Sequence, residues 1–178
     1  MRSLQEAIGR ELVWKPRSLL SRTHDLVDPE ASTVEPYATL VLRARFVRQA
    51  PGEAQSGDGS WHFLPQGFFR RNVRVLAADR STRVAALKHS WRRGVLRFED
   101  GREFVWRRQA FWSPSWRFED ANGTAAVRFQ WRFSLPRSTT RVEFESSAAP
   151  PADLALLACL GWYLVLMSRR RHAAYGAS

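Results

Sequence analysis

The stretch Leu154 to Met167, LALLACLGWYLVLM, is the longest uncharged apolar run in the chain, and whatever hides it from water sets the fold. As a helix it extends about 21 Å at roughly 1.5 Å per residue, against a bilayer hydrocarbon core of about 30 Å that usually needs about 20 apolar residues. Asp153, behind Pro150 and Pro151, closes the run as an acidic N-cap, and Arg169, Arg170 and Arg171 close its other end. Those charges suit the dipole of a soluble helix and a membrane stop signal equally well. Trp162 and Tyr163 fall mid-run, whereas membrane spans carry such rings at their two interfaces. Length and aromatic placement therefore favour burial in protein, as a core helix over about 153–170 carrying Leu154, Leu157, Leu160, Trp162 and Leu164. The alternative is a tail anchor with 154–167 inserted in a bilayer.

The rest of the chain reads as short strands. Ser3 to Ile8 predicts one helical turn with Ser3 and Glu6 spaced as a capping box, and Glu11 to Lys15 a first strand. Ser18 to Pro36 is polar, with room for one short strand. Ala38 to Arg48 alternates Leu40, Leu42, Ala44 and Phe46 with Val41, Arg43, Arg45 and Val47. Ala50 to Ser60, APGEAQSGDGS, has the composition of a flexible loop. Trp61 to Leu64 and Gly67 to Ala78 read as strands broken at Pro65 to Gly67, followed by Arg83 to His89. Gly94 to Glu99 turns at Asp100-Gly101 into Glu103 to Arg107, setting Leu96 and Phe98 opposite Phe104 and Trp106. Trp116 to Glu119 turns near Asn122-Gly123 into Ala125 to Ser134, with Ala125, Val127, Phe129, Trp131 and Phe133 on one face. Arg141 to Glu145 supplies a last strand with Val142 and Phe144 inward.

Ten to twelve strands with apolar inner and charged outer rows, followed by one apolar helix, predict a mainly β fold. It is a closed antiparallel barrel of about twelve strands around the C-terminal helix, in one domain over 1–178. This order, with FEDGREFVW (Phe98 to Trp106), WRFEDANGTAAVRFQ (Trp116 to Gln130) and a terminal hydrophobic helix, resembles the tubby C-terminal-like superfamily, in particular its LURP-one-related and phospholipid-scramblase-like branch. The resemblance implies a twelve-stranded barrel around a buried helix, and relatives that bind phosphoinositides or are linked to calcium and lipid movement. No phosphoinositide motif carries over residue by residue. The scramblase features are also missing: only Glu143, Glu145 and Asp153 precede the helix in place of an Asp-rich loop, and there is no cysteine cluster.

The formal charge is +11, from 28 Lys and Arg, of which only Lys15 and Lys88 are lysine, against 17 Asp and Glu. That excess points to an anionic phospholipid or an acidic protein as partner, with Arg169, Arg170 and Arg171 as candidate anion contacts because they form the one true basic run. Nucleic acid is disfavoured. The Trp-Arg interleaving at Trp91-Arg92-Arg93, Trp106-Arg107-Arg108 and Trp116-Arg117 matches strand alternation, since Glu99, Glu119 and Glu143 take equivalent outward positions. His24, His62, His89 and His172 lack ligand spacing, so no metal or cofactor is expected and the histidines read as loop or surface residues. No phosphate loop, nucleophile elbow or other catalytic motif is present, and a non-enzymatic role follows. Cys159 sits in the apolar run as a small core hydrophobe, and no secretory segment is visible, giving a cytoplasmic protein, membrane-associated if the helix or the basic surface reaches lipid.

Overall fold

Inward-facing apolar positions recur every second residue along twelve short segments, and such segments hide both their apolar row and their backbone groups by pairing until the sheet has no edge. The computed structural model of the chain describes residues 1–18, 21–31, 35–44, 50–67, 72–90, 93–109, 115–132, 139–144 and 149–175, apart from the side chains of residues 131, 132, 139, 151 and 171–175. A 3-10 turn at Leu4–Ala7 precedes strands β1 (Leu12–Pro16), β2 (Thr23–Val27), β3 (Ala38–Leu42), β4 (Gly52–Ser56), β5 (Gly59–Gln66) and β6 (Asn72–Ala77). Strands β7 (Arg83–His89), β8 (Arg93–Phe98), β9 (Glu103–Arg108), β10 (Ser115–Glu119), β11 (Ala125–Arg132) and β12 (Thr139–Phe144) follow, and the chain ends in helix α1 (Pro151–Tyr175). Each strand pairs antiparallel with its sequence neighbours. β1 meets β12 through Leu12↔Val142, Val13↔Arg141 and Trp14↔Thr140, which closes the barrel.

A ring of about eight strands is filled by its own side chains, and a wider one leaves a lumen. Here α1 fills it. Every residue from Asp153 to Val165 is buried, including Leu154, Leu157, Leu160, Trp162 and Leu164. The stretch Ala152–Arg170 is long and apolar enough to cross a membrane, yet 78% of its most apolar window lies inside the barrel. Trp162 stacks on Trp14 at 5.9 Å between centroids and 8° between planes, and Tyr163 tilts against Phe63 at 5.4 Å. The helix approaches β11 so closely at Gly161 that a Cβ there would stand 2.2 Å from Phe129 Cζ. At roughly 1.5 to 3 kcal/mol for each fully buried large side chain, this contact surface accounts for much of the driving force.

Several expectations need correcting. The stretch Ala50 to Ser60 is not a flexible loop: it holds β4, whose inward Gly52, Ala54 and Ser56 are buried, with Tyr163 packed in front of Gly52. A Cβ on Gly52 would lie 2.9 Å from Tyr163 Cδ2. Pro65 does not interrupt β5, where it pairs with Val73. β3 ends at Leu42, and the expected continuation through Phe46 to Arg48 lies outside the described residues, as do Trp91, Phe133 and Glu145, while the side chain of Trp131 is not described.

The β8–β9 connection spans four residues, so Leu96 faces Phe104 but Trp106 faces Gly94; Gly101, at φ 89°, takes the left-handed position after the turn. The Ser3–Glu6 capping box does not form: Glu6 accepts from Arg2, while Asp58 accepts from the Leu4 amide at 2.7 Å. α1 is longer than 153–170, and Asp153 is a first-turn residue paired with Arg102, with Leu154 N–H bonding Pro150 carbonyl at 3.0 Å.

Replacing Gly161 by Ala improves intrinsic helix propensity by about 1 kcal/mol, but overpacking against a buried ring costs about 1–3 kcal/mol. The Phe129 clash outweighs the propensity, and Gly161→Ala lowers the urea midpoint. Leu160→Asp or Leu164→Asp places an unpaired carboxylate in the apolar lumen and unfolds the barrel, read as loss of strand circular dichroism. A soluble, folded Leu160→Asp protein would contradict the central role of α1.

Candidate functional site

In an antiparallel meander successive connections alternate between the two ends of the barrel. Those after odd-numbered strands fall where α1 ends: Arg170 donates to the Ala44 carbonyl at 3.0 Å and Tyr163 Oη to the Ala50 carbonyl at 2.9 Å. Those after even-numbered strands fall where α1 begins, beside the Arg102–Asp153 pair. Parity thus sorts the connecting sequences into two mouths.

The charges sort with them. At the helix C-terminal mouth the described residues of the connections, 17–18, 21–22, 43–44, 50–51, 67, 90 and 109, include Arg17, Arg22 and Arg43 and neither Asp nor Glu. At the opposite mouth 28–37, 57–58, 78–82, 99–102 and 120–124 carry Asp28, Glu30, Glu35, Asp58, Asp79, Glu99, Asp100 and Asp120 against Arg80 and Arg102.

The acids have local work there, since Asp79 accepts from Ser81 and Thr82 amides and Asp120 from Asn122 and Thr124 amides, closing tight turns. The Thr82 hydroxyl, which also donates to Asp79, and then the Thr82 and Ser81 amides hold that carboxyl well below the usual carboxylate range. The outer wall is mixed, with cross-strand pairs such as Arg97–Glu103 at 2.6 Å and Arg107–Glu119 at 3.3 Å. The strands nevertheless carry 12 Lys or Arg against 5 Asp or Glu, so the basic excess is spread over the wall as well as the helix C-terminal mouth. Arg17, Arg22, Arg43 and Arg93 are exposed there, and two of them reach back to wall acids, Arg17 to Asp25 at 2.6 Å and Arg43 to Glu53.

Inside this mouth a cluster surrounds Trp162. Trp14 stacks on one side, His24 meets the ring edge-on at 5.6 Å, and the Arg169 guanidinium carbon lies 5.1 Å from the ring centroid. Arg169 also donates to Thr140 Oγ1 at 3.1 Å. Loss of hydration pulls Arg169 down to about 10 and lowers Arg170 as well. Burial first, then the charges of Arg170 and Arg169, push His24 down to about 4, with Asp25 opposing weakly. His24 is 9% exposed on β2, not a loop or surface residue as its sequence context suggests. Pairing of β2 between β1 and β3 turns its ring to the lumen, a long-range outcome.

Of the three expected anion contacts, Arg169 and Arg170 stand at this mouth and the Arg171 side chain lies outside the description, as does that of His172. Arg170 lies 126 residues from Ala44, so no spacing rule makes them legible as neighbours. His62 sits in β5 at 3.4 Å from Glu53, and His89 in β7. Among the described residues no group of three His, Cys, Asp or Glu side chains could hold a metal. Cys159 is fully buried, which pushes its thiol up and keeps it unreactive.

A cavity of about 500 Å³ opens at the opposite mouth between Trp61, Phe98, Arg102, Asp153 and Leu156. Its carboxylates are engaged, Asp153 by Arg102 and Glu99 by Arg83 at 2.5 Å. No protein-family model, curated protein or solved structure matches this chain.

His24 provides a pH test of this geometry. Its folded-state value lies below its unfolded one, so between about pH 6.5 and pH 4 the unfolded chain takes up a proton that the folded chain refuses. Stability therefore falls as pH drops through that window, by on the order of 3 kcal/mol. His24→Phe, which keeps a ring against Trp162, flattens this dependence in urea unfolding measured across the window; an unchanged slope would place the titration elsewhere.

Proposed function

We propose that the chain is a non-enzymatic binding module that docks the helix C-terminal mouth of its barrel on an anionic surface, with anionic phospholipid as the first candidate. One observation carries this reading: the described connections at that mouth hold Arg17, Arg22 and Arg43 and no acid, while Asp28, Asp79, Asp100 and Asp120 close turns at the other. A flat rim of cations gains about 1 kcal/mol for each Lys or Arg brought to an anionic membrane, and the gain fades within a Debye length of about 10 Å at 0.1 M salt. Acids on the far mouth, a barrel length away, oppose it little. The tubby-like resemblance of the sequence, whose members include phosphoinositide binders, supports the same reading.

A second reading rests on the length and hydropathy of Ala152–Arg170, which suit a membrane span. It requires the helix to leave the lumen, so the two readings exclude each other. Salt-sensitive binding that is reversed by carbonate supports the docking mouth, and a carbonate-resistant pellet supports the anchor.

Flotation with neutral phosphatidylcholine vesicles and with vesicles containing phosphatidylserine separates lipid from protein partners. The protein floats with the acidic vesicles only, and raised salt releases it. Arg22→Gln with Arg93→Gln weakens partition by roughly tenfold or more. Arg97→Gln, equally exposed but on the outer wall, leaves it nearly unchanged. Equal failure to float with both vesicle types removes the lipid version and leaves an acidic protein as the partner.

A further inference from the structure

The cavity at the helix N-terminal mouth lies between the barrel wall and the first turn of α1, and its volume of about 500 Å³ falls within the roughly 300–1,000 Å³ of small-molecule sites. Small residues leave it open. Gly59 and Ser60 line it where β5 begins, Ala77 and Ala78 where β6 ends, and Ala152 where α1 begins. Beside it the Leu4–Ala7 turn packs on α1 and buries Leu4 and Ala7. Asp58 belongs to both places, since it lines the cavity and accepts from the Leu4 amide.

The floor is apolar, formed by Trp61, Phe98 and Leu156. Ala77 pairs across strands with Trp61, a buried inward residue, so its methyl faces the same interior. An apolar ligand body gains by covering such a floor.

The rim is charged, and its charges do not cancel. Arg83 meets Glu99 at 2.5 Å. Arg102 bonds both Asp100, at 2.6 Å, and Asp153, so two carboxylates share one guanidinium. Asp58 accepts from the Ser3 hydroxyl at 2.5 Å and the Leu4 amide at 2.7 Å, both neutral, and no cation meets it among the described residues. Four carboxylates and two guanidiniums leave the lining two negative charges in excess, on a chain whose formal charge is +11. The field of Asp58 reaches the lumen, where it adds to burial in pushing the Cys159 thiol up.

We propose that this cavity binds a small organic cation, with a flat apolar body over Trp61, Phe98 and Leu156 and a protonated amine at the rim of Asp58, Asp100 and Asp153. A carboxylate ligand would meet a rim of its own sign. A bare metal ion suits the site less, because no three His, Cys, Asp or Glu side chains converge among the described residues. The site lies at the opposite mouth from the docking face and does not depend on that reading.

Tryptamine, tryptophol and indole-3-acetate test this, since they share one ring system and carry an ammonium, a hydroxyl and a carboxylate. Titrated into the isotope-labelled full chain at constant ionic strength, tryptamine shifts the Trp61 indole N–H and the Ala77 and Ala78 amide signals saturably. Tryptophol binds roughly tenfold more weakly and indole-3-acetate more weakly still, as expected for two unit charges at a solvated rim. Ala77→Leu places its side chain beside Trp61 and weakens tryptamine by about tenfold or more in a folded protein. Glu99→Gln with Asp100→Asn brings the lining to neutrality and removes the preference for tryptamine over tryptophol. Arg22→Gln with Arg93→Gln, at the other mouth, changes none of these affinities.

The proposal is overturned by the absence of saturable shifts, by equal affinity for tryptamine and tryptophol, or by a preference that survives the Glu99→Gln and Asp100→Asn pair. Parent-like binding by folded Ala77→Leu overturns it too. Should Ala77→Leu fail to fold, Ala78→Phe, at an exposed position lining the same cavity, makes the same test.

Discussion

Everything in this structure depends on filling the lumen of a twelve-stranded ring. Such a ring is wider than its own inward side chains can pack, and a helix of about 10–12 Å diameter is the compact object that fits. α1 must then be apolar on every face, which removes the amphipathic stripe usual for helices of soluble proteins. The wall adapts where the helix is bulky. β4 presents Gly52 in front of Tyr163, and the helix gives way at Gly161 where β11 brings Phe129. Complementarity of large against small, more than total hydrophobicity, sets the height and rotation of the helix in the barrel.

Polarity follows from the same construction. A helix threaded once through a closed meander distinguishes the two mouths, and the parity of the connections makes that distinction chemical. Asp at hairpin corners closes turns at one end, whereas the described residues of the connections at the other end include Arg17, Arg22 and Arg43 and no acid. Arg169 and Arg170 lie towards the C-terminal end of α1, the negative side of the helix dipole. Arg169 is drawn inward over Trp162, and with Arg170 it depresses the proton affinity of a histidine from another strand.

Much of the fold was legible because its signals are local. The Asn122-Gly123 turn between two alternating segments predicts the β10–β11 hairpin, and β7 runs over Arg83–His89 as its pattern suggests. β4 was illegible because its residues are small and flexible by composition and become strand only by pairing with β3 and β5 in front of Tyr163. Of the candidate site, only the arginine run could be read. Trp14, His24, Thr140 and Trp162 lie far apart in sequence, and no spacing rule links them; their meeting depends on barrel closure and on how far the helix is pushed through it.

By itself the sequence determined an apolar helix that had to be enclosed, strands with one oily face to enclose it, and a large excess of arginine, since periodicity, hydropathy and charge are properties of neighbouring residues. Only the tertiary structure decided which mouth each connection reaches and that His24 is buried beside two guanidiniums. Those outcomes come from strand pairing and closure, which join residues more than a hundred positions apart, as Arg170 and Ala44 are joined.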